Sequence, residues 1–210
     1  MAAMTTRLTH LLVIISAIAL ATSKGALARD PDITSDFILP ENYTGTTVDA
    51  SFFTYTGFRG LLDQTPKTFT ATKASMDEFP ALNGQGVSYA MLQFPPNTLF
   101  SPHTRLDSAG LMFVLTGSLE VGLIDSKDVL YKKKLYAGDM FVFPKGLIHY
   151  QYNADPQLPA TAIAAFGSAS SRSVSVPSSI FASGIPDVIL EKSFKTDINT
   201  IRKIRAGVKN

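Results

Sequence analysis

The feature that most constrains this chain is a succession of short segments, rich in β-branched and aromatic residues, between residues 87 and 168. Glycine, proline, asparagine and aspartate separate them, and these residues favour turns. The segments are VSYAMLQF (87–94), LMFVLTGSLEVGLID (111–125), DVLYKKKLY (128–136), DMFVFP (139–144), IHYQYN (148–153) and ATAIAAFGS (160–168). Their regular spacing predicts a mainly β chain with a closed or sandwiched antiparallel architecture at about residues 51–170.

The C-terminal part of the chain has a helical pattern, so we predict a helical tail at about residues 177–207. Short helices are expected within 178–185, 187–194 and 197–207, with Pro186 between the first two, Thr196 as the last N-cap and Gly207 as the last stop. The recurring Ile198, Ile201 and Ile204 form a narrow apolar stripe. This stripe could pack on a neighbouring subunit or on the parent barrel.

Residues 1–28 have the pattern of a secretory signal peptide. Arg7 supplies a positive charge, residues 11–21 form an apolar run, and Ala26-Leu27-Ala28 is a small-x-small cleavage site. The run is too short to span a bilayer comfortably. We therefore expect secretion to the extracellular space, followed by one domain at 29–210 that opens with an extended arm. Asn42 begins a glycosylation sequon in this arm.

Charge and cysteine content limit the partners. The chain has 19 basic and 17 acidic side chains, and loss of Arg7 and Lys24 with the signal peptide leaves 17 of each. A balanced charge gives no field that would attract nucleic acid or an anionic membrane. Because the chain has no cysteine, its stability must come from a large core, from oligomerisation or from a bound ion.

Two motifs contain the two histidines that follow the predicted signal peptide. The stretch GDMFVFPKGLIHYQYN (138–153) has the pattern G-x5-P-x-G-x2-H-x3-N, which ends in Asn153. Its glycines permit tight turns, and its proline ends a strand. His149 is thereby placed near the start of the next strand, where strand alternation can aim its ring into a barrel.

The stretch PHTRLDSAGLMFVLTG (102–117) is the partner motif and holds His103. Two histidines two residues apart on a strand, with a carboxylate five residues later, would make a mixed nitrogen and oxygen site for a divalent ion. Arg105 and Gly110 stand at those second and third positions.

The chain resembles the germin-like proteins of plants, which belong to the cupin superfamily. The resemblance covers nearly the whole mature chain and includes DPD (30–32), FFTYTGFR (52–59), both motifs, PKGLIH (144–149) and the helical tail. It implies a cupin β-jelly-roll barrel, a manganese ion held by three histidines and one glutamate, and secretion to the plant cell wall. It also implies a homohexamer built as a trimer of dimers. The family's activities are oxalate oxidase and superoxide dismutase, with proposed roles in defence and stress.

Carried over residue by residue, His103 and His149 match the first and last histidine ligands of the family. Arg105 replaces the middle histidine and Gly110 replaces the glutamate. Asn83 matches the first of two asparagines found near the metal in oxalate-degrading germins. Further departures are Ala90 at the second asparagine, Asn97-Thr98 at a Gly-Gly pair, and Ile38 and Phe53 at about the places of two paired cysteines.

These replacements weaken the expectation of bound manganese. Loss of even an outer-shell partner costs about 10–100-fold in metal affinity. If Arg105 faces inward, as alternation with His103 predicts, it repels each positive charge at about 4 Å by about 4 kcal/mol at an effective dielectric near 20. The alternative is that Arg105 reaches out to solvent and the pocket holds water. Asp107 could pair with Arg105 in either case.

Three functions are compatible with these residues. We favour a non-catalytic extracellular protein of the cell wall that forms a homo-oligomer. A manganese-dependent oxidase or superoxide dismutase is the second. The third is an extracellular organic-anion binding protein, as in auxin-binding cupins, with Arg105 and Asn83 as ligand-binding residues.

Overall fold

The structure is a computed structural model that describes residues 33–45 and 47–209. The predicted signal peptide and the DPD segment lie outside these residues. The strands are β1 (Thr70–Ala74), β2 (Ser88–Phe94), β3 (Leu99–Thr104), β4 (Gly110–Thr116), β5 (Ser118–Ile124), β6 (Leu130–Tyr136), β7 (Met140–Phe143), β8 (Ile148–Tyr152), β9 (Ala160–Phe166) and β10 (Val174–Ser175). The helices are α1 (Val176–Phe181), α2 (Asp187–Phe194) and α3 (Ile198–Lys209).

The strands form two antiparallel sheets of five, in the orders β1-β2-β9-β4-β7 and β10-β3-β8-β5-β6. The chain crosses from one sheet to the other after β2, β3, β4, β6, β7, β8 and β9. Buried side chains of both sheets meet between them, among them Phe94, Met112 and Val114 from the first sheet and Leu119 and Val121 from the second. The predicted β-jelly-roll class is confirmed.

Within residues 33–45 and 47–69, no strand precedes β1. Residues 33–45 and 47–50 form bends, turns and irregular chain, and 51–63 consist of turns apart from a short irregular piece. A 3-10 turn at Pro80–Leu82 lies between β1 and β2. The regular strands therefore begin at Thr70, later than the predicted start at about residue 51. The predicted strand segments included none of β1, β3 and β10.

The predicted segment 111–125 is two strands in different sheets. It divides at Gly117, which has φ +73 and whose added Cβ would lie 2.5 Å from the carbonyl oxygen of Pro159. Only glycine fits this combination of left-handed backbone and close approach. The predicted hairpin turn at Asp125–Asp128 is confirmed, since Asp125 accepts backbone hydrogen bonds from Lys127 and Val129 on Oδ1.

The three tail helices are present, and two of their predicted ends were wrong. Asp197 caps α3 instead of Thr196, because its Oδ1 accepts the backbone N–H of Thr200 at 3.1 Å. The helix then passes through Gly207, which does not adopt a positive φ. Ile201 of the predicted stripe is fully buried, whereas Ile204 is 39% exposed. No helix within the described part of the chain is long and apolar enough to cross a membrane.

Asn153, the last residue of the second motif, joins three separate pieces of backbone. Its side chain is fully buried. Its Nδ2 donates to the carbonyl oxygens of Phe94 at 3.0 Å, Pro95 at 3.1 Å and Leu158 at 2.9 Å, and its Oδ1 accepts the N–H of Asp155. The asparagine thus fixes the end of β2 against the loop that leads into β9.

We predict that Asn153→Ala lowers the free energy of unfolding by about 2–4 kcal/mol, because it leaves several buried carbonyl groups without donors. Urea denaturation measures this difference. Asn199→Ala, at an exposed position of α3, is the control and should change stability by less than about 0.5 kcal/mol. Equal effects of the two substitutions would contradict the structural role of Asn153.

Candidate functional site

The two motif histidines lie side by side in the barrel. His103 of β3 is paired directly with His149 of β8 in the antiparallel register. Only 1% of His103 and 2% of His149 is exposed, and their ring centroids are 4.2 Å apart. The positions predicted from the motif spacing are therefore brought together at one point inside the barrel.

Hydrogen bonds fix the same tautomer in both rings. The Nδ1 of His103 lies 2.9 Å from the carbonyl oxygen of Ser101, and the Nδ1 of His149 lies 2.8 Å from that of Leu147. Because a carbonyl only accepts, each Nδ1 carries the proton and each Nε2 holds a lone pair. The Nε2 of His103 is buried and has no hydrogen-bond partner among the described residues. A hydrogen bond from the other ring nitrogen to a carbonyl is also usual for histidines that bind metals.

Aromatic rings cover both imidazoles. Phe100 stacks on His103 at a centroid distance of 3.7 Å, and Phe143 stacks on His149 at 4.4 Å. Burial lowers the pKa of His103 to about 3, helped by the positive charges that His149 and Arg105 would place beside it. Burial, with Arg105 as a further cause, lowers the pKa of His149 to about 4. Both histidines are therefore neutral at physiological pH.

Arg105 points into the barrel, as alternation with His103 predicts. Its side chain is 7% exposed, and its guanidinium carbon lies 4.0 Å from the ring centroid of Phe166. Burial lowers the pKa of Arg105 to about 10, so the group stays charged at neutral pH. The alternative in which Arg105 reaches out to solvent is wrong. Its backbone oxygen also accepts the N–H of Gly146, which ties the two motifs together.

The absence of a side chain at Gly110 leaves space for the ring of Phe166, on which Arg105 stacks. It pairs with Phe166 on one side and Phe143 on the other within its sheet. An added Cβ at Gly110 would lie 3.3 Å from Cε1 of Phe166, tighter than an ordinary van der Waals contact. A glutamate here would press against the ring on which Arg105 stacks. Arg105 and Gly110, which stand at the two replaced ligand positions, therefore both pack against Phe166.

The residues at this point do not fit manganese. Manganese prefers oxygen donors, carboxylates above all, together with imidazole, whereas this site offers two imidazoles beside a guanidinium. The cavity bounded by His103, His149, Arg105 and Gly110 is only about 10 Å³, near the lower limit for a single water molecule. Within the described residues no three histidine, cysteine, aspartate or glutamate side chains are grouped as metal ligands would be.

Other predicted residues lie elsewhere. Asn83 directly follows the 3-10 turn and lines neither the cavity beside the histidines nor the larger one beside Arg105, so its ligand-binding role stays a prediction. Asp107 has its carboxylate 3.9 Å from the Nε of Arg172. Asn42 is exposed in a turn, where a glycan could be accommodated.

Phe166 was missed by the sequence analysis. Its strand reads ATAIAAF, in which Ala160, Ala162 and Ala164 face the core and leave space that one large inward residue fills. The signal was an inward row of alanines that ends in an aromatic residue. Nothing in the sequence linked that ring to Arg105, which lies 61 positions earlier.

The depressed histidine pKa values predict a stability that falls in acid. The unfolded chain protonates these histidines near pH 6.5 and the folded chain only near pH 4 or below, so between these values the unfolded state binds more protons. Stability is complete above pH 6.5 and declines on acidification by up to about 1.4 kcal/mol per pH unit for each histidine.

Urea denaturation between pH 4.5 and 7.5 measures this slope. In the double variant His103→Gln/His149→Gln the slope should become distinctly shallower, because only carboxyl groups then titrate. An unchanged slope in the double variant would show that these histidines are not the buried neutral groups described.

Relatives and solved structures agree with this barrel. The cupin family model matches residues 61–202. Germin-like protein 9-3 of Oryza sativa subsp. japonica is 48% identical over 204 residues, which cover 94% of this chain and 95% of that protein. Germin-like protein subfamily 2 member 4 of Arabidopsis thaliana is 33% identical over 195 residues, 86% of this chain and 88% of that protein.

Solved structures of oxalate oxidase share the fold. The complex with the substrate analogue glycolate has a TM-score of 0.74 at 25% identity, covering 85% of this chain and 97% of that chain. A second oxalate oxidase structure gives a TM-score of 0.73 at 26% identity. With a family model that matches more than half of its length and a relative 48% identical along nearly all of it, this chain belongs to the cupins and, among them, to the germin-like proteins.

Proposed function

We propose that this chain is a secreted germin-like cupin of the plant cell wall that binds no manganese and has no oxalate oxidase activity. The single observation that supports this most strongly is the buried guanidinium of Arg105, stacked 4.0 Å from Phe166 at the position of a ligand. Its positive charge lowers the pKa of both imidazoles. A field that disfavours a proton on these rings also disfavours a divalent ion beside them.

Secretion rests on the signal-like residues 1–28 and on the family, and the exposed sequon at Asn42 is compatible with it. A role in defence or stress follows from the family alone. Oxidase or dismutase chemistry would require a redox metal, and the donor set supplies two neutral nitrogens without a carboxylate. The proposed role is therefore structural or ligand-binding.

Restoring the two replaced ligands tests the proposal. We expect Arg105→His/Gly110→Glu to bind about one manganese per chain, with an affinity at least about 100-fold above that of the unaltered protein. Gly110→Glu alone should bind none, because its carboxylate would pair with Arg105 instead. Elemental analysis and manganese electron paramagnetic resonance measure the uptake. Arg172→His, on an exposed side chain outside the barrel, is the matched control.

Stoichiometric manganese in the unaltered protein, or oxalate oxidation by it, would overturn the proposal. Uptake by Arg172→His equal to that of the double variant would show that the binding is adventitious.

A homo-oligomer is also proposed, with the tail helices as contact surface. Several large apolar side chains of α2 and α3 are about half exposed, namely Val188 (48%), Ile189 (51%), Phe194 (51%) and Ile204 (39%). These side chains lie on two helices that contact each other, and large exposed apolar areas are typical of association surfaces. A chain without disulfides would gain stability by covering it.

We expect Ile189→Asp/Phe194→Asp to shift the secreted protein to a smaller species in light scattering coupled to size-exclusion chromatography. Lys192→Asp, also exposed on α2, should leave the assembly unchanged. A monomeric unaltered protein would contradict the oligomer.

A further inference from the structure

Arg105 also borders a second and larger cavity. This cavity has a volume of about 160 Å³ and is lined by parts of β1, β2, β3 and the segment that follows β9. Arg105, Phe100 and Phe166 line both cavities. The guanidinium thus closes the space beside the histidines and presents its remaining donors to the larger space.

The charge on Arg105 is not neutralised within the described residues. Within residues 33–45 and 47–209, its one side-chain oxygen partner is the Oγ of Ser171, 3.4 Å from Nη1, and no carboxylate there forms an ion pair with it. The group has five N–H donors and is more than nine-tenths buried. A buried charge without an opposite partner is costly, and an anion in the cavity would remove that cost.

Ser171 supplies a second donor at the same place. Its Oγ accepts from Arg105 and from the hydroxyl of Ser108, so its own hydroxyl proton remains available to a ligand. Two other serines of the cavity are already committed, because Ser75 donates to the carboxylate of Glu78 and Ser88 donates to the carbonyl of Ser168. Ser173 also lines the cavity but is exposed, so the buried donors at its polar end are Arg105 and Ser171.

Lys73 lines the same cavity as a second cation. The hydrogen bond from Ser75 is the main cause that lowers the pKa of Glu78, and the charge of Lys73 is the last of the causes. Lys73 is exposed, so solvent screens its charge and it contributes less than Arg105. Among the described residues that line the cavity none is acidic, whereas Ala71, Ala90 and Phe100 give it an apolar wall. This combination suits a ligand with one anionic group and a small apolar body.

We propose that this cavity binds a small organic monocarboxylate, with its carboxylate on Arg105 and Ser171 and its apolar part against Phe100 and Ala90. A cavity of about 150 Å³ admits benzene, so the space accommodates a body of that size. Charge-assisted hydrogen bonds to arginine favour a planar carboxylate. The inference rests on the proposed function, because it requires Arg105 to be the resident cation in place of a metal.

Benzoate is the probe, and benzamide is its neutral isostere. We expect isothermal titration calorimetry on the full secreted protein to detect benzoate binding, with benzamide and sulfate each at least about tenfold weaker. Ser171→Ala should weaken benzoate about tenfold, the effect of one hydrogen bond to a charged group. Arg105→Met should abolish binding, and Arg105→Lys should restore part of it. Ser126→Ala, in the exposed hairpin turn, is the matched control.

Each result of these titrations supports or contradicts the carboxylate site. No benzoate binding to a protein shown to be free of manganese would overturn the carboxylate site and leave the proposed function standing. If benzamide bound as tightly as benzoate, the charge of Arg105 would not contribute to binding. If sulfate bound as tightly, the apolar wall would not contribute. An unchanged affinity in Ser171→Ala, or a loss in Ser126→Ala, would place the ligand elsewhere. Stoichiometric manganese in the unaltered protein would overturn the proposed function itself.

Discussion

The contact between the guanidinium of Arg105 and the ring of Phe166 determines the chemistry of the space beside the two histidines. The guanidinium carbon lies 4.0 Å from the ring centroid, which places a buried cation at a sequence position where the resemblance implies a histidine ligand. A side chain at Gly110 would lie 3.3 Å from Cε1 of Phe166 and would require that ring to shift by a few tenths of an ångström. The histidines must remain neutral, since burial and a fixed cation both oppose their protonation. The two replaced ligand positions, Arg105 and Gly110, thus both meet the ring of Phe166.

The energetics favour this view over simple decay of a metal site. A cation–π contact with a desolvated ring contributes about 2 kcal/mol. Burying a charge costs several kcal/mol, so the stack offsets only part of the cost. An arginine that had lost any role would gain stability by moving its charge to water. The burial of Arg105 inside the barrel is explained if an anion pairs with its charge, or if the cation itself holds the surrounding residues in place.

Much of the barrel could be predicted, because its signals are local. Strand segments, the hairpin at Asp125 and the inward orientation of Arg105 all follow from alternation and turn chemistry over a few residues. The ends of α3 could not, since Thr196 and Asp197 are both good N-caps and only tertiary packing selects between them. The division at Gly117 depends on the approach of Pro159, a contact 42 positions distant. Phe166 and Ser171 belong to the site through such contacts as well, so no motif reveals them.

The central claim is that a resident cation has replaced the metal, and the metal content of the unaltered secreted protein tests it most directly. The protein should be purified without chelators and analysed by mass spectrometry of its elements. We expect well below about 0.1 manganese per chain, and an equally low content of each other transition metal. A value near one manganese per chain, retained through dialysis, would contradict it.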